Sequence, residues 1–247
     1  MAKAVLTRDP ASAAAYAAAL APLGLEVVAM PVTRHGPPAD PQALARALAS
    51  GTFDAVIVAS PRAAHELAKA AAGGELPEVW AVGPATRRAL EILKLAAHHP
   101  EGVRDGGDLA RRLIASRPMY GRRVLVPRAE EGRVEAMELL RTAGAEVVDV
   151  IAYRTLAVDR GDPGVREGAD VLRHGRADVC AVFAPSQVAA LGAIVGPLAQ
   201  IHTKFCAIGE TTAQAVREAG VADVAVAATP TPEGIARAVG SVYPTRR

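Results

Sequence analysis

The sequence has few aromatic residues, two cysteines and no strong excess of charge, and each scarcity excludes a class of protein. Aromatic residues make up 3% of the 247 residues, so any core depends on aliphatic contacts rather than on large rings. Cys180 and Cys206 lie in apolar segments, which indicates two reduced, buried thiols rather than a disulfide or a metal site. The formal net charge of +2 is too small for a nucleic-acid-binding protein, which needs a basic stripe.

The sequence also has no membrane-length apolar run and no apolar signal region before its first strand pattern, so we expect a cytoplasmic protein with no membrane contact. Neither a Gly-x-Gly-x-x-Gly nor a phosphate-loop pattern occurs, which argues against a nucleotide cofactor. The pair His98-His99 lacks further ligands at metal-binding spacing. We therefore expect neither a cofactor nor a metal.

Strand and helix patterns alternate along the chain, beginning with one β-α-β unit. Residues 4–7 form an apolar strand pattern, Asp9 suits a helix N-cap, and Pro10 suits the first helical position. An alanine-rich helix is predicted over 11–20, and a strand over 26–32.

The same alternation continues to the end of the chain. Further strands are predicted at 55–59, 79–82, 123–126, 147–151, 179–183 and 205–208. Ser60 and Pro61 are expected to cap and start a helix through residue 72, and Gly83 opens another that runs through residue 95. Strands that alternate with helices predict parallel sheets covered on both faces.

Internal repeats indicate that the chain is a duplication of one five-stranded α/β unit. The matching segments, in order, are 23–28 with 143–148, offset by 120 residues; 60–62 with 184–186, offset by 124; and 81–86 with 207–212, offset by 126. Two similar lobes imply a cleft. Because ligands of open α/β sheets bind outside the carboxyl ends of the strands, we expect the site at the loops there.

Several of these segments together resemble the uroporphyrinogen-III synthase family. They are Gly-x-x-Thr in each half (83–86 and 209–212), Ser60-Pro61-Arg62, the early Thr7-Arg8, and the Gly-Ala-Glu-Val-Val…Tyr-Arg-Thr segment at 144–155. The resemblance runs from residue 4 to about residue 238. It implies two flavodoxin-like parallel-sheet lobes, one made of 1–34 plus 155–247 and the other of 35–154, joined by two crossover segments with a cleft between them.

The resemblance also implies the chemistry. The family's substrate is hydroxymethylbilane, a linear tetrapyrrole with eight carboxylates, which loses water and closes to uroporphyrinogen III with inversion of the terminal pyrrole. Because the bilane also cyclises unaided without inversion, positioning and electrostatics suit the task better than a nucleophile does. We expect a monomer that acts on this small molecule.

Candidate site residues follow from that chemistry. Tyr153 matches a family tyrosine and is a candidate general acid for the departing hydroxyl, although packing of its ring is an equal alternative. Substrate carboxylates need cations, hydroxyls and helix N-termini. The candidates for that task are Arg8, Ser60, Arg62, Thr86, Arg128, Ser186 and Thr212. Helix capping for the hydroxyls and a solvated surface for the arginines are the alternative explanations.

Two other functions stay open from the residues alone. One is a bilobed small-molecule binding or sensor protein without catalysis, although the sequence has too few aromatics for a sugar site. The other is an inactive relative of the enzymes that serves as a partner in a complex. Conversion of hydroxymethylbilane to the inverted isomer would distinguish a synthase from both of these alternatives.

Overall fold

The computed structural model of the chain describes residues 2–243. The strands are β1 Ala2–Leu6, β2 Leu25–Ala29, β3 Thr33–Gly36, β4 Ala55–Val58, β5 Glu78–Ala81, β6 Arg123–Ala129, β7 Glu146–Ala157, β8 Val179–Val182, β9 Lys204–Ala207 and β10 Val224–Val226. The helices are α1 Pro10–Leu20, α2 Ala43–Ala49, α3 Pro61–Ala71, α4 Pro84–Ile92, α5 Gly106–Ser116, α6 Glu135–Thr142, α7 Pro163–Arg173, α8 Pro185–Val195, α9 Glu210–Glu218 and α10 Pro232–Val242. Strands and helices thus alternate, and the predicted α/β class is confirmed.

The chain divides into two compact units. The first comprises Met1–Arg34 with Leu156–Arg247, and the second comprises His35–Thr155. The chain therefore passes from one unit to the other twice, after Arg34 and after Thr155.

The first unit contains a parallel sheet with the order β10-β9-β8-β1-β2. Alternate side chains of β1 belong to different cores, since Val5 packs with α7, α8 and α9, whereas Leu6 packs with α1 and α10. Helices therefore cover both faces, as expected for a parallel sheet. The adjacent strands β1 and β8 are followed by helices on opposite faces, which leaves a crevice at their carboxyl ends.

The second unit contains a sheet with the order β3-β7-β6-β4-β5. Helices α2, α3 and α4 share the core on one face, and α5 and α6 share the core on the other. Here β6 and β4 are the adjacent strands whose following helices, α6 and α3, lie on opposite faces. Their carboxyl ends are the corresponding crevice of this unit.

The outer edge of β5 is closed by a single parallel bridge between Trp80 and His98. The Ala81 N–H donates to the His98 carbonyl at 2.8 Å, and the His98 N–H donates to the Val79 carbonyl at 2.8 Å. The two rings pack with their centroids 4.8 Å apart. This bridge occupies the position that β10 occupies beside β9 in the first unit.

Local signals at the helix starts are confirmed. The Asp9 Oδ1 accepts the Ser12 N–H at 2.9 Å, with Pro10 as the first residue of α1. The Ser60 Oγ accepts the Ala63 N–H at 3.1 Å, with Pro61 as the first residue of α3.

Three expectations about local structure were wrong. The strand predicted over 147–151 continues as β7 to Ala157, so Tyr153 lies within a strand rather than in the loop expected after it. Arg128 likewise lies within β6, which extends past its predicted end at residue 126. Ser186 does not precede its helix but is the second residue of α8, whose N-cap is Ala184. The sequence pattern also gave no sign of β3, because its residues Thr33–Gly36 form a short, mostly exposed strand.

Cys180 and Cys206 are free and buried in the first unit. Burial raises the pKa of each thiol to about 12, and the neighbouring Cys206 adds a smaller upward effect on Cys180. Both groups are therefore uncharged at neutral pH and unsuited to nucleophilic attack. Among residues 2–243, no helix is long and apolar enough to cross a membrane.

Candidate functional site

The crevice of the second unit is a cavity of about 330 Å³ at the carboxyl ends of β4 and β6. Its lining comprises Ile57, Ala59, Ser60, Val82, Arg104, Asp105, Gly106, Gly107, Val126, Pro127, Arg128, Ala129, Gly132, Arg133, Glu135, Ala136, Met137 and Tyr153. A volume near the lower end of the range for small-molecule sites, roughly 300–1,000 Å³, suits part of a large ligand. The apolar strand ends form the floor, and polar groups from α3, α5 and α6 surround it.

Two hydroxyls meet in this cavity. The Tyr153 Oη lies 3.0 Å from the Ser60 Oγ, and either atom can donate the hydrogen bond. Strand β7 positions the tyrosine, which is 7% exposed, and the start of α3 positions the serine. Because the Ser60 Oγ already accepts the Ala63 N–H, its hydrogen is free to point at the Tyr153 oxygen. The Tyr153 O–H is then free to point at a ligand.

The N-terminus of α5 forms another part of the lining. Asp105 caps this helix by accepting the Asp108 N–H at 2.9 Å. Gly107 is closely covered, since a Cβ there would lie 2.7 Å from the Glu135 carboxyl group. A larger residue at this position would displace the Glu135 side chain. The free N–H groups of a helix start attract anions.

Arginines in and near the cavity differ in how far they are already paired. Arg128 donates from Nε and Nη2 to the Asp149 carboxylate at 2.7 and 2.9 Å, and from Nη1 to two backbone carbonyls. Arg104 pairs with Asp108 at 2.8 Å. Arg133 is exposed and makes no ion pair within the described part of the chain. Arg133 is therefore the cation in the lining with the most freedom to meet a ligand.

Arg62 does not line this cavity. Its Nη2 pairs with the Glu66 carboxylate at 2.6 Å along α3. It lines instead a separate depression of about 610 Å³ beside the residues that follow β3. The i, i+4 spacing to Glu66 was the signal in the sequence for this pairing.

In the first unit, the corresponding crevice contains an arginine on an aromatic platform. The Arg8 Cζ lies 4.6 Å from the ring centroid of Phe183 and 4.9 Å from that of Tyr16. Thr7 is buried, and its Oγ1 lies 2.7 Å from the Gln187 Oε1. Sequence reasoning missed Gln187, because a glutamine in the first turn of a helix looks like any surface residue.

The remaining hydroxyl candidates lie in first turns of helices. Thr86 and Thr212 are both 3% exposed and are the third residues of α4 and α9, whose N-caps are glycines without a capping side chain. Ser186 is partly buried in α8. The structure thus brings Tyr153, Ser60 and Arg128 around one cavity and places the other candidates elsewhere. Within residues 2–243, no group of three or more His, Cys, Asp or Glu side chains is arranged to hold a metal ion.

Comparison with known proteins settles the family. The model of the uroporphyrinogen-III synthase HemD family matches residues 14–237, which is most of the chain. The chain belongs to the uroporphyrinogen-III synthase family. The predicted family and its enzyme class, a cyclising lyase of tetrapyrrole biosynthesis, are thereby confirmed. Membership of this family does not favour the alternative of a binding or sensor protein.

Relatives and solved structures agree with this assignment. The uroporphyrinogen-III synthase, chloroplastic, of Oryza sativa subsp. japonica is 26% identical over 237 residues, which is 93% of this chain and 77% of the relative. A mutant uroporphyrinogen III synthase of the extremely thermophilic bacterium Thermus thermophilus has a TM-score of 0.61 at 22% identity, covering 98% of both chains. The uroporphyrinogen-III synthetase of Helicobacter pylori 26695 has a TM-score of 0.63 at 14% identity, covering 98% of this chain and 99% of that one. At these identities, the two structures support the fold.

Proposed function

We propose that this chain cyclises hydroxymethylbilane to uroporphyrinogen III, with loss of water and inversion of the terminal pyrrole. Family membership supplies the reaction. The observation that carries its assignment to a site is the Tyr153–Ser60 hydroxyl pair in the cavity of the second unit.

Tyr153 acts as the general acid in this proposal. Its O–H donates a proton to the hydroxyl of the bilane as the C–O bond breaks, and the hydroxyl leaves as water. The electron pair of the pyrrole nitrogen expels the hydroxyl and leaves a cationic azafulvene. The substituted α-carbon of the terminal pyrrole attacks this cation to form a spiro intermediate, whose bond to the original methylene bridge breaks and re-forms at the free α-carbon, which inverts the terminal pyrrole. The proton that this α-carbon loses at the end returns to the Tyr153 oxygen. The Ser60 hydroxyl stabilises the phenolate oxygen through the 3.0 Å contact. Because the bilane closes unaided to another isomer, the enzyme's larger task is positioning.

Carboxylates of the substrate have two sets of partners in the proposal. In the second unit, the free N–H groups at the start of α5 and the side chain of Arg133 line the cavity. In the first unit, the predicted partners are Arg8, Ser186 and Thr212, with Thr86 as the counterpart of Thr212 in the second. We assign Arg62 and Arg128 a supporting role, because Glu66 and Asp149 already neutralise their guanidinium groups.

We further propose that the two units are flavodoxin-like and arose by duplication. The first unit's strands follow the order 2-1-3-4-5 when numbered within the unit. The order β2-β1-β8-β9 also matches β7-β6-β4-β5 strand for strand. Registers support this match, since Val5 pairs with Val28 and Leu125 pairs with Val148, both shifted by 120 residues.

We also propose that the protein is a monomer and that it is located in the cytoplasm. Free, buried thiols suit a reducing compartment. Large exposed hydrophobic side chains in the described part of the chain are the separate residues Ile92, Tyr120 and Val134, which suits a protein without a large self-association patch. Light scattering after gel filtration would test the monomer.

The function is tested by an assay with freshly generated hydroxymethylbilane and chromatographic separation of the oxidised isomers. We expect the type III isomer above the spontaneous type I background. Production of type I alone by folded protein would contradict the proposed reaction.

The role of Tyr153 is tested by Tyr153→Phe, which keeps the ring and removes the hydroxyl. We expect kcat to fall by roughly 100-fold, at the low end of general acid catalysis, while type III stays the product because positioning is preserved. The matched control is Tyr120→Phe, since Tyr120 is 88% exposed. Equal kcat for the two variants would contradict general acid catalysis by Tyr153.

A further inference from the structure

The crevice of the first unit uses aromatic rings that are scarce elsewhere in the chain. The sequence has three Phe and four Tyr, and one of each lies beneath Arg8. The Tyr16 and Phe183 rings pack edge to face, with centroids 4.8 Å apart and an interplanar angle of 73°. A guanidinium held over ring faces keeps its in-plane N–H donors available, and less side-chain entropy is lost when it binds a ligand.

Arg8 is not neutralised by a carboxylate. Across residues 2–243 it makes no ion pair. The adjacent Asp9 is committed to capping α1, where hydrogen bonds with Ser12 hold the pKa of its carboxyl group below the usual value. The positive charge of Arg8 is therefore available to a ligand.

The hydrogen bonds of Gln187 fix which end of its amide faces outward. The Gln187 Oε1 accepts the Phe183 N–H at 2.9 Å and lies 2.7 Å from the Thr7 Oγ1. Because a backbone N–H can only donate, the inward atom has to be the oxygen. The Nε2 group then points away from the sheet with two N–H donors, and it meets no protein acceptor within the described residues. It is also not a buried atom.

These groups converge on one place in the fold. Arg8 follows β1, Phe183 follows β8, and Gln187 lies in the first turn of α8. Since β1 and β8 are adjacent parallel strands followed by helices on opposite faces, their carboxyl ends form the crevice where open α/β sheets bind ligands.

We propose that Arg8 and Gln187 together bind one carboxylate of an acetate or propionate substituent on the tetrapyrrole, with Tyr16 and Phe183 holding the guanidinium in place. Gln187 is thus a further substrate-binding residue. This inference rests on the proposed function for the identity of the ligand, whereas the donors themselves follow from the geometry.

The test uses uroporphyrin III, a stable porphyrin with eight carboxylates, as the probe, and its binding is measured by calorimetry. The variant Gln187→Glu keeps an inward oxygen for Thr7 and Phe183 but replaces the outward donor with a negative oxygen. The control Gln200→Glu adds the same charge to an exposed position that precedes β9, on the side of the same sheet where its strands begin. We expect Gln187→Glu to weaken binding roughly tenfold or more, to raise KM similarly and to change kcat less than twofold.

Several results would overturn the inference: wild-type affinity in Gln187→Glu, the same loss in both variants, or no binding of the probe to the wild type. If Gln187→Glu unfolds, Arg8→Gln decides, because it leaves the Thr7–Gln187 contact intact. Weakened binding by Arg8→Gln then supports the site, and unchanged binding overturns it. Failure of the proposed function has a different signature, namely tight probe binding by a wild type that forms no type III isomer.

Discussion

Each unit has a crevice at the carboxyl ends of two adjacent central strands whose following helices lie on opposite faces of the sheet, but the two crevices contain different side chains. In the second unit the crevice is an open cavity that contains the Tyr153–Ser60 hydroxyl pair, and its arginine, Arg128, forms an ion pair with Asp149. In the first unit the equivalent arginine, Arg8, lies on two aromatic rings with its charge unpaired. Under the proposed function, the crevice of the second unit serves proton transfer and that of the first unit holds an anion. Equivalent positions in a repeated fold need not keep equivalent tasks.

The largest expected effect comes from removing the carboxylate that pairs with Arg128. Asp149→Asn leaves a guanidinium that is only 16% exposed with carbonyl partners alone. We expect a loss of about 2 kcal/mol in the free energy of unfolding, less than for a fully buried pair. Arg8→Gln should cost less than about 1 kcal/mol, because only ring contacts are lost. Urea unfolding of both variants checks this, and equal losses would break the contrast between the two arginines.

A smaller effect is expected from exchanging the helix caps of the two units. Ser60 caps α3, whereas Ala184, with φ −158° and ψ 152°, has the same extended backbone but no capping side chain. Ser60→Ala should cost about 1 kcal/mol, and Ala184→Ser should stabilise by about the same amount. Thermal unfolding measures both. If Ala184→Ser leaves the stability unchanged, the serine forms no capping hydrogen bond at α8, although the backbone there has the same conformation as at Ser60.

The last contrast concerns the thiols, which lie only in the first unit and whose expected effect near neutral pH is on reactivity rather than on stability. With the pKa of Cys180 and Cys206 raised to about 12 from 9.0, iodoacetamide at pH 8 should label the native protein far more slowly than the unfolded chain. Mass spectrometry after timed quenching measures this. Equal labelling rates in the native and unfolded states would contradict the burial of these groups.

The same thiols give a pH dependence with a defined sign. Because the folded pKa is raised, their contribution to stability is fully present below pH 9.0 and is lost as the pH rises towards about 12. Replacement of both cysteines by alanine should remove this part of the alkaline loss. A variant with an unchanged alkaline profile would assign the loss to other groups.

Local sequence signals predicted much of this fold, because they act over a few residues. Asp9 with Pro10, and Ser60 with Pro61, marked the starts of two helices, and the apolar run at 55–59 marked a buried strand, observed at Ala55–Val58. Helix starts and buried strands depend on backbone chemistry and on the hydrophobic pattern, and both can be read from residues that are close together in the sequence.

The site was less predictable, because the alignment of neighbouring strands determines which side chains meet. The pairing of Arg128 with Asp149 depends on the alignment of β6 with β7. The outward amide of Gln187 depends on contacts with Thr7 across the sheet. The partners in each pair are far apart in the sequence. Selecting polar residues at predicted strand ends therefore included Arg8 and Arg128 without showing that only Arg128 is paired, and it omitted Gln187.

The single bridge between Trp80 and His98 also has a consequence for the behaviour of the protein at high concentration. An exposed strand edge is a template on which another chain can add a strand and start aggregation. At the edge of β5, the Ala81 N–H and the Val79 carbonyl are already bonded to His98, and the guanidinium of Arg117 lies 5.4 Å from the Trp80 ring centroid. A second molecule that approaches this edge therefore meets packed rings and the Arg117–Glu78 ion pair instead of free hydrogen-bonding groups, so the bridge protects the sheet against intermolecular strand pairing.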